Sequence, residues 1–159
     1  MGDTFREEIA VKTLRALMLL GPWVAAGALL LAPSARADTR LGLGADYWID
    51  NETGIFSLTG AIDTPVSRVF SVGGRFGLLL TSSPTEVGIP LDLLLRFEPR
   101  RSSLYLEALA GPWILFVDEP VRAHVAFGFG VRTGVLSAGL EVGYLDPDPV
   151  LGLRLAFNL

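Results

Sequence analysis

From Asp38 to the end of the chain, apolar residues alternate with small or polar ones at a period of two rather than 3.6. A β-strand points successive side chains to opposite faces, so this spacing predicts strands. Eight segments follow it. The first sets Leu41, Leu43, Ala45, Tyr47 and Ile49 against Arg40, Gly42, Gly44, Asp46 and Trp48. The second sets Phe56, Leu58 and Ile62 against Ser57, Thr59 and Ala61; the third sets Phe70, Val72, Phe76, Leu78 and Leu80 against Ser71, Gly73, Arg75 and Gly77. The fourth opposes Ile89, Leu91, Leu93, Leu95 and Phe97 to Gly88, Asp92, Leu94 and Arg96. In the fifth, Leu104, Leu106, Ala108 and Ala110 oppose Tyr105, Glu107 and Gly111, and the pattern then blurs into an all-apolar run from Trp113 to Val117. The sixth opposes Ala123, Val125, Phe127, Phe129 and Val131 to His124, Gly128, Gly130 and Arg132. The seventh opposes Leu136, Ala138, Leu140, Val142 and Tyr144 to Ser137, Gly139, Glu141 and Gly143; the eighth, Leu151, Leu153, Leu155, Phe157 and Leu159 to Gly152, Arg154, Ala156 and Asn158.

Turn-rich pieces separate the segments: Asp50 to Gly54, Asp63-Thr64-Pro65, Ser82 to Thr85, Glu98 to Arg101, Asp118-Glu119-Pro120, Thr133-Gly134 and Asp146 to Pro149. Short turns join neighbouring strands antiparallel and predict a meander. An even number of strands lets the meander close with both termini at one end. Pro90 and Pro112 each remove a ladder hydrogen bond and predict fraying of strands four and five near the far rim.

The same alternation suits a soluble, lipocalin-like ligand-binding barrel with its apolar face inside. The second face argues against that. It is largely glycine, with Gly42, Gly44, Gly73, Gly77, Gly128, Gly130, Gly139, Gly143 and Gly152 among its members. Small residues suit the cramped interior of an eight-stranded barrel. A water-facing exterior is normally rich in charged and polar side chains. The Leu/Val/Phe face therefore points outward, as lipid requires.

Register adds a second argument. Folding the hairpins about their turns brings Arg75 opposite Asp92 and Glu141 opposite Arg154, and sets Glu107 between Arg96 and Arg132. All lie on the glycine face. Buried charges must come paired, so these residues are expected to plug the lumen, with Asp46 and His124 as further lumen polar groups. The competing reading makes them solvated surface pairs, each contributing about 0–1 kcal/mol. With the termini on the inner side, Tyr47, Phe56, Phe116 and Tyr144 fall near the outer rim and Phe70, Phe97 and Phe157 near the inner one, as two aromatic girdles would.

Half of the 159 residues are apolar, 19% are charged and none is cysteine, which excludes disulfides and thiolate chemistry. The net charge of −4 and a single lysine, Lys12, suggest no nucleic-acid surface. Past residue 40 no apolar run reaches the ~20 residues of a membrane helix. Before it, Leu14 to Ala32 is apolar, follows Lys12 and leads to Ala35-Arg36-Ala37, an A-x-A site. Residues 1–37 are thus expected to be a helical signal peptide cleaved after Ala37, and 38–159 the barrel. An uncleaved membrane helix is the rival, disfavoured by Gly21, Pro22 and Gly27. Asp3, Glu7 and Glu8 are unusual in a leader and suggest that translation begins near Val11.

The chain resembles the small outer-membrane barrels of the OmpA membrane-domain and OmpX type. The resemblance rests on the leader, the strand count, the glycine-and-charge lumen and the alternating terminal strand Leu151–Leu159. It implies an all-β, eight-stranded, antiparallel up-and-down transmembrane β-barrel in a Gram-negative outer membrane, in contact with lipid and lipopolysaccharide. It also implies that the barrel-assembly machinery reads Leu151–Leu159. The last residue here is Leu159, with Phe157 two before it, where such families usually end in an aromatic, and their long outer loops are missing.

Among possible chemistries, a lipid A-modifying barrel enzyme needs a histidine with a serine and an acid. The one histidine, His124, lies on the inward face, with Ser137 and Glu141 on the next segment. A lumen histidine bonded within the plug is the simpler reading. Acidic loops (Asp50, Glu52, Glu86, Asp118, Glu119, Asp146, Asp148) could bridge divalent cations to lipopolysaccharide phosphates, but they form no dense ligand cluster. No cofactor motif or metal spacing is present. A narrow, ion-leaking pore is a further alternative. The reading favoured is an integral outer-membrane barrel, structural or adhesive and without catalysis.

Overall fold

The computed structural model describes residues 37–50, 52–116 and 121–159. The expected leader therefore lies, except for Ala37, outside the described residues, as do Asp118, Glu119 and Pro120. Eight strands follow one another: β1 (Asp38–Trp48), β2 (Thr53–Pro65), β3 (Phe70–Thr81), β4 (Val87–Phe97), β5 (Leu104–Leu115), β6 (Val121–Thr133), β7 (Leu136–Leu145) and β8 (Asp148–Asn158). Each pairs antiparallel with the next, and β8 pairs with β1, from Arg40↔Asn158 to Trp48↔Val150, so the sheet closes. No connection exceeds six residues. The end where β1 begins and β8 finishes is the terminal end, and the opposite one the loop end.

Four of the expected turns are partly or wholly strand. Thr53 and Gly54 open β2, and Thr133 ends β6. Asp63, Thr64 and Pro65 continue β2, and Asp148 and Pro149 begin β8. Their side chains keep the two-residue period, so the ladder runs on until pairing partners end. Between β6 and β7 only Gly134 and Val135 remain outside the strands; Gly134 has φ of +60°, where a side chain clashes with its own carbonyl.

The all-apolar stretch after Gly111 also alternates. Trp113 and Leu115 turn inward and are buried, while Phe116 is 64% exposed. The pattern blurs in the sequence because the lumen itself becomes apolar at this level.

The ladder is interrupted on both sides of β4, at Pro90 toward β3 and opposite Pro112 toward β5. Gly77 and Leu78 do not pair with Ile89 and Pro90, and Leu91 and Asp92 do not pair with Gly111 and Pro112. Pairing resumes beyond each gap in the same register, and Pro112 keeps its place opposite Ala123. The interruption is therefore local rather than a frayed rim. Gly111 is what lets the strands stay close there: a Cβ on it would lie 1.9 Å from the Leu91 carbonyl oxygen.

The outer wall is apolar nearly throughout. Leu43, Phe56, Leu78, Leu93, Phe127 and Leu153 are all more than half exposed. The buried residues lie inside the ring. At the loop end they form an apolar cluster of Trp48, Ile55, Leu79, Trp113, Leu115, Leu145 and Val150. Toward the terminal end a smaller apolar cluster, Ala61, Leu94, Leu109 and Ala126, lies among buried charges.

Candidate functional site: the barrel lumen

Each charged residue of the lumen sits on a strand, at a position whose period-two parity points inward. Closure then sets these side chains against one another where little water can reach, so each needs a partner of opposite sign. Asp92 on β4 is the hub. Its Oδ2 accepts from Arg75 Nε and Nη2 at 3.1 and 2.8 Å. Its Oδ1 accepts from Trp113 Nε1 at 3.2 Å and lies 2.7 Å from His124 Nδ1. A carboxylate only accepts, so the His124 proton facing it is on Nδ1. The His124 ring also packs on Trp113, with centroids 4.4 Å apart.

Glu141 on β7 binds two guanidinium groups at once. Arg75 Nη1 donates to its Oε2 at 2.6 Å, and Arg154 donates through Nε and Nη2, each at 3.1 Å. Two-pronged contacts of this kind are the stronger class of charge-assisted hydrogen bond. Arg154 Nη1 then reaches Asp46 on β1 at 2.7 Å. Nearer the terminal end, Arg40 bridges Asp63 at 2.7 Å and Glu107 at 2.6 Å. Arg96 bonds both Glu107 and Glu98, and its guanidinium lies 4.0 Å from the centre of the Tyr105 ring.

Of the residues singled out from the sequence, Arg75, Asp92, Arg96, Glu107, Glu141, Arg154, Asp46 and His124 all belong to this lumen set. Arg132 departs from its expected place. It does not meet Glu107 but bonds Glu98 at 3.2 Å at the terminal rim, where both side chains are part-exposed. The register explains it. Glu107 pairs with Gly128, four residues from Arg132, a distance of about 13 Å along β6 at ~3.3 Å per residue.

Hairpin folding does not single out Arg40 and Asp63 as partners. Asp63 looked like a turn residue, although it shares the inward parity of Thr59 and Ala61. The contacts that span the lumen were also out of reach. Arg75 on β3 meets Glu141 on β7, and Arg40 on β1 meets Glu107 on β5; both pairs join strands four places apart in the ring.

No family model and no curated relative matches this chain. Solved structures do match it. What they share with it is the closed antiparallel β-barrel fold. A de novo designed transmembrane β-barrel aligns at a TM-score of 0.62 with 14% identity, over 77% of this chain and 95% of that one. A second de novo designed barrel, solved by NMR in solution, aligns at 0.58 with 15% identity, over 80% and 98%. The N-terminal β-barrel domain of Pseudomonas aeruginosa OprF aligns at 0.52 with 14% identity, over 77% and 97%. At these identities the likeness is one of architecture.

Of the serine, histidine and acid that could form a triad, His124 Nε2 lies 3.8 Å from Glu141 Oε1, but Ser137 stands apart from both. Ser137 pairs with Arg132 near the terminal end and its hydroxyl donates to the Ala156 carbonyl at 3.3 Å. His124 pairs with Leu145, eight residues along β7. Between the lumen side chains lies a cavity of about 40 Å³, bordered by Arg40, Arg75, Arg96, Tyr105, Glu107 and Arg154. That is the room of roughly one water molecule.

Proposed function

We propose that this protein is an integral outer-membrane β-barrel with a structural or adhesive role and no catalysis, its lumen closed by ion pairs and by an apolar plug. One observation carries the reading. The barrel closes with its apolar side chains outward around the whole ring and its Arg, Asp and Glu pairs enclosed. Monomeric soluble proteins rarely expose more than a few hundred Å² of contiguous apolar surface. A lipocalin-like barrel needs the opposite orientation, so this arrangement supports a hydrocarbon solvent over water.

Other features agree. Tyr47, Phe56, Phe116 and Tyr144 stand exposed toward the loop end. The Phe70 and Phe97 rings pack at a tilt, with centroids 4.9 Å apart, toward the terminal end. Two aromatic girdles of this kind mark the interfaces of membrane barrels. The separation of Ser137 from His124 favours a non-catalytic lumen. The cavity of about 40 Å³ and the apolar cluster beyond it favour a closed barrel over a leaking pore. Lipid and lipopolysaccharide are the proposed surroundings, with Leu151–Leu159 the segment read by the barrel-assembly machinery.

Fractionation of expressing cells, followed by a gel of unheated and boiled samples, tests the reading. The protein should sediment with outer membranes and migrate faster unheated. A chain that stays in the soluble fraction without detergent overturns it.

A further inference from the structure

At the loop end, above the apolar plug, the barrel carries a second cavity of about 160 Å³. Trp48, Thr53, Thr81, Ser83, Glu86 and Arg122 border it. It takes about five water molecules at ~30 Å³ each, or one sugar ring.

Its wall is held rigidly. Thr53 Oγ1 donates to the Ser83 carbonyl at 2.6 Å, and Thr81 Oγ1 donates to the Pro84 carbonyl at 2.5 Å. The Glu86 amide donates back to Thr81 Oγ1 at 3.0 Å, and Thr81 N to the Glu86 carbonyl at 2.9 Å. Gly54 and Ser82 are tied to each other by two further bonds. The segment between β3 and β4 is thereby fastened to the start of β2, so a ligand would not have to order it.

The chemistry around the cavity is mixed. The Trp48 ring has the Arg122 guanidinium 5.4 Å from its centre, and Arg122 Nη1 donates to the Asp146 carbonyl at 2.9 Å. Trp48 is 7% exposed, and its indole N–H finds no acceptor among the described residues. The half-buried Glu86 offers a carboxylate. The site thus brings a buried indole N–H without an acceptor and a carboxylate together. Charge then selects the ligand. Asp50, Glu52, Glu86, Asp146 and Asp148 share this end of the barrel, with Arg122 the only cation there among the described residues. Such a rim repels anions. A neutral polyhydroxylated ring answers these groups: its hydroxyls both accept from N–H and donate to carboxylate.

We propose that this rim cavity binds one unit of a neutral saccharide. The inference does not depend on the barrel lying in a membrane.

The test uses the full chain, folded in phosphatidylcholine nanodiscs without glycosidic detergent, with ¹⁵N-labelled tryptophan. The Trp48 indole resonance is assigned with Trp48→Phe. Methyl glucoside, methyl galactoside, methyl mannoside and N-acetylglucosamine are titrated in turn, against acetate, inorganic phosphate and Mg²⁺ as charged probes. At least one glycoside should shift the Trp48 resonance saturably, with Kd on the order of 1 mM, and leave Trp113 unmoved. Glu86→Ala should weaken that binding by about tenfold, the effect of one charge-assisted hydrogen bond. No shift with any glycoside, a shift only with a charged probe, or full affinity in Glu86→Ala overturns the proposal.

Discussion

Arg75 on β3 and Glu141 on β7 join across the full width of the lumen, Nη1 to Oε2 at 2.6 Å. Their strands stand opposite each other in the ring, so this one contact ties its two halves together. Arg75 also holds Asp92, and Glu141 also holds Arg154. Removing Arg75 thus leaves two buried carboxylates with less than they need. Arg75→Met should destabilise the folded barrel by about 3–5 kcal/mol, the cost of breaking a buried pair from one side. Arg132→Met, at the part-exposed rim, should cost about 0–1 kcal/mol. Urea unfolding in lipid vesicles measures both, and similar losses for the two would contradict a buried central network.

The gap in the ladder opposite Pro112 yields a backbone prediction. Gly111 lies so close to β4 that a Cβ would meet the Leu91 carbonyl oxygen at 1.9 Å and Asp92 Cα at 2.8 Å. Backbone cannot swing aside as a side chain can. Gly111→Ala should therefore destabilise by about 1–3 kcal/mol or more, as overpacking does. Gly74 is the control. A Cβ there meets nothing nearer than 3.6 Å, so Gly74→Ala should be neutral or stabilise by about 0.4–1 kcal/mol through the unfolded chain.

How much of this was legible in the sequence depends on how far apart the partners are in the ring. Adjacent-strand contacts could be read by folding hairpins: Arg75 with Asp92, Glu141 with Arg154, Arg96 with Glu107. Those readings need only parity and turn positions. Arg75 with Glu141 and Arg40 with Glu107 need the closed ring, its diameter and its stagger, which no hairpin reveals. Arg132 departs at the hairpin level itself, because β5 and β6 set Glu107 opposite Gly128 and leave Arg132 to meet Glu98. The apolar plug was hidden differently. Trp113 and Leu115 face inward beside outward Ile114 and Phe116, so hydrophobicity ceases to distinguish the faces where both are apolar. Asp63 was masked by its neighbours: Thr64 and Pro65 look like a turn, yet the strand continues through them.

The membrane reading predicts a dependence on depth along the outer wall. Leu58 lies midway along β2, opposite Leu43 and Leu78, and is exposed. Leu58→Arg should cost about 2–4 kcal/mol if it faces the middle of a bilayer, whereas Val66→Arg, in the connection after β2, should cost about 0–1. Stability in vesicles measures the difference. In water an arginine on an exposed wall is harmless, so equal tolerance at the two positions would argue for a soluble barrel.

Two layers stand across the lumen, the ion pairs and the apolar cluster. Ion pairs alone form a polar path, and polar paths can hold water. The apolar cluster at the loop end differs: Ile55 and Trp113, each 1% exposed, pack there with Leu79, Leu115, Leu145 and Val150. Truncating Ile55 and Trp113 should open that end without touching the outer wall. Ile55→Ala with Trp113→Ala is expected to cost stability, about 2–5 kcal/mol for each large-to-small change. It should also turn an electrically silent barrel into one with resolvable single-channel steps in a planar bilayer. Trp113 has a second role, because its indole donates to Asp92 and packs on His124. Trp113→Phe separates the two effects: it keeps most of the bulk, removes the donor and should remain silent. If the double alanine variant folds, as its gel shift would report, and still passes no current, then the arginine–carboxylate layer is the barrier and the apolar cluster serves packing alone.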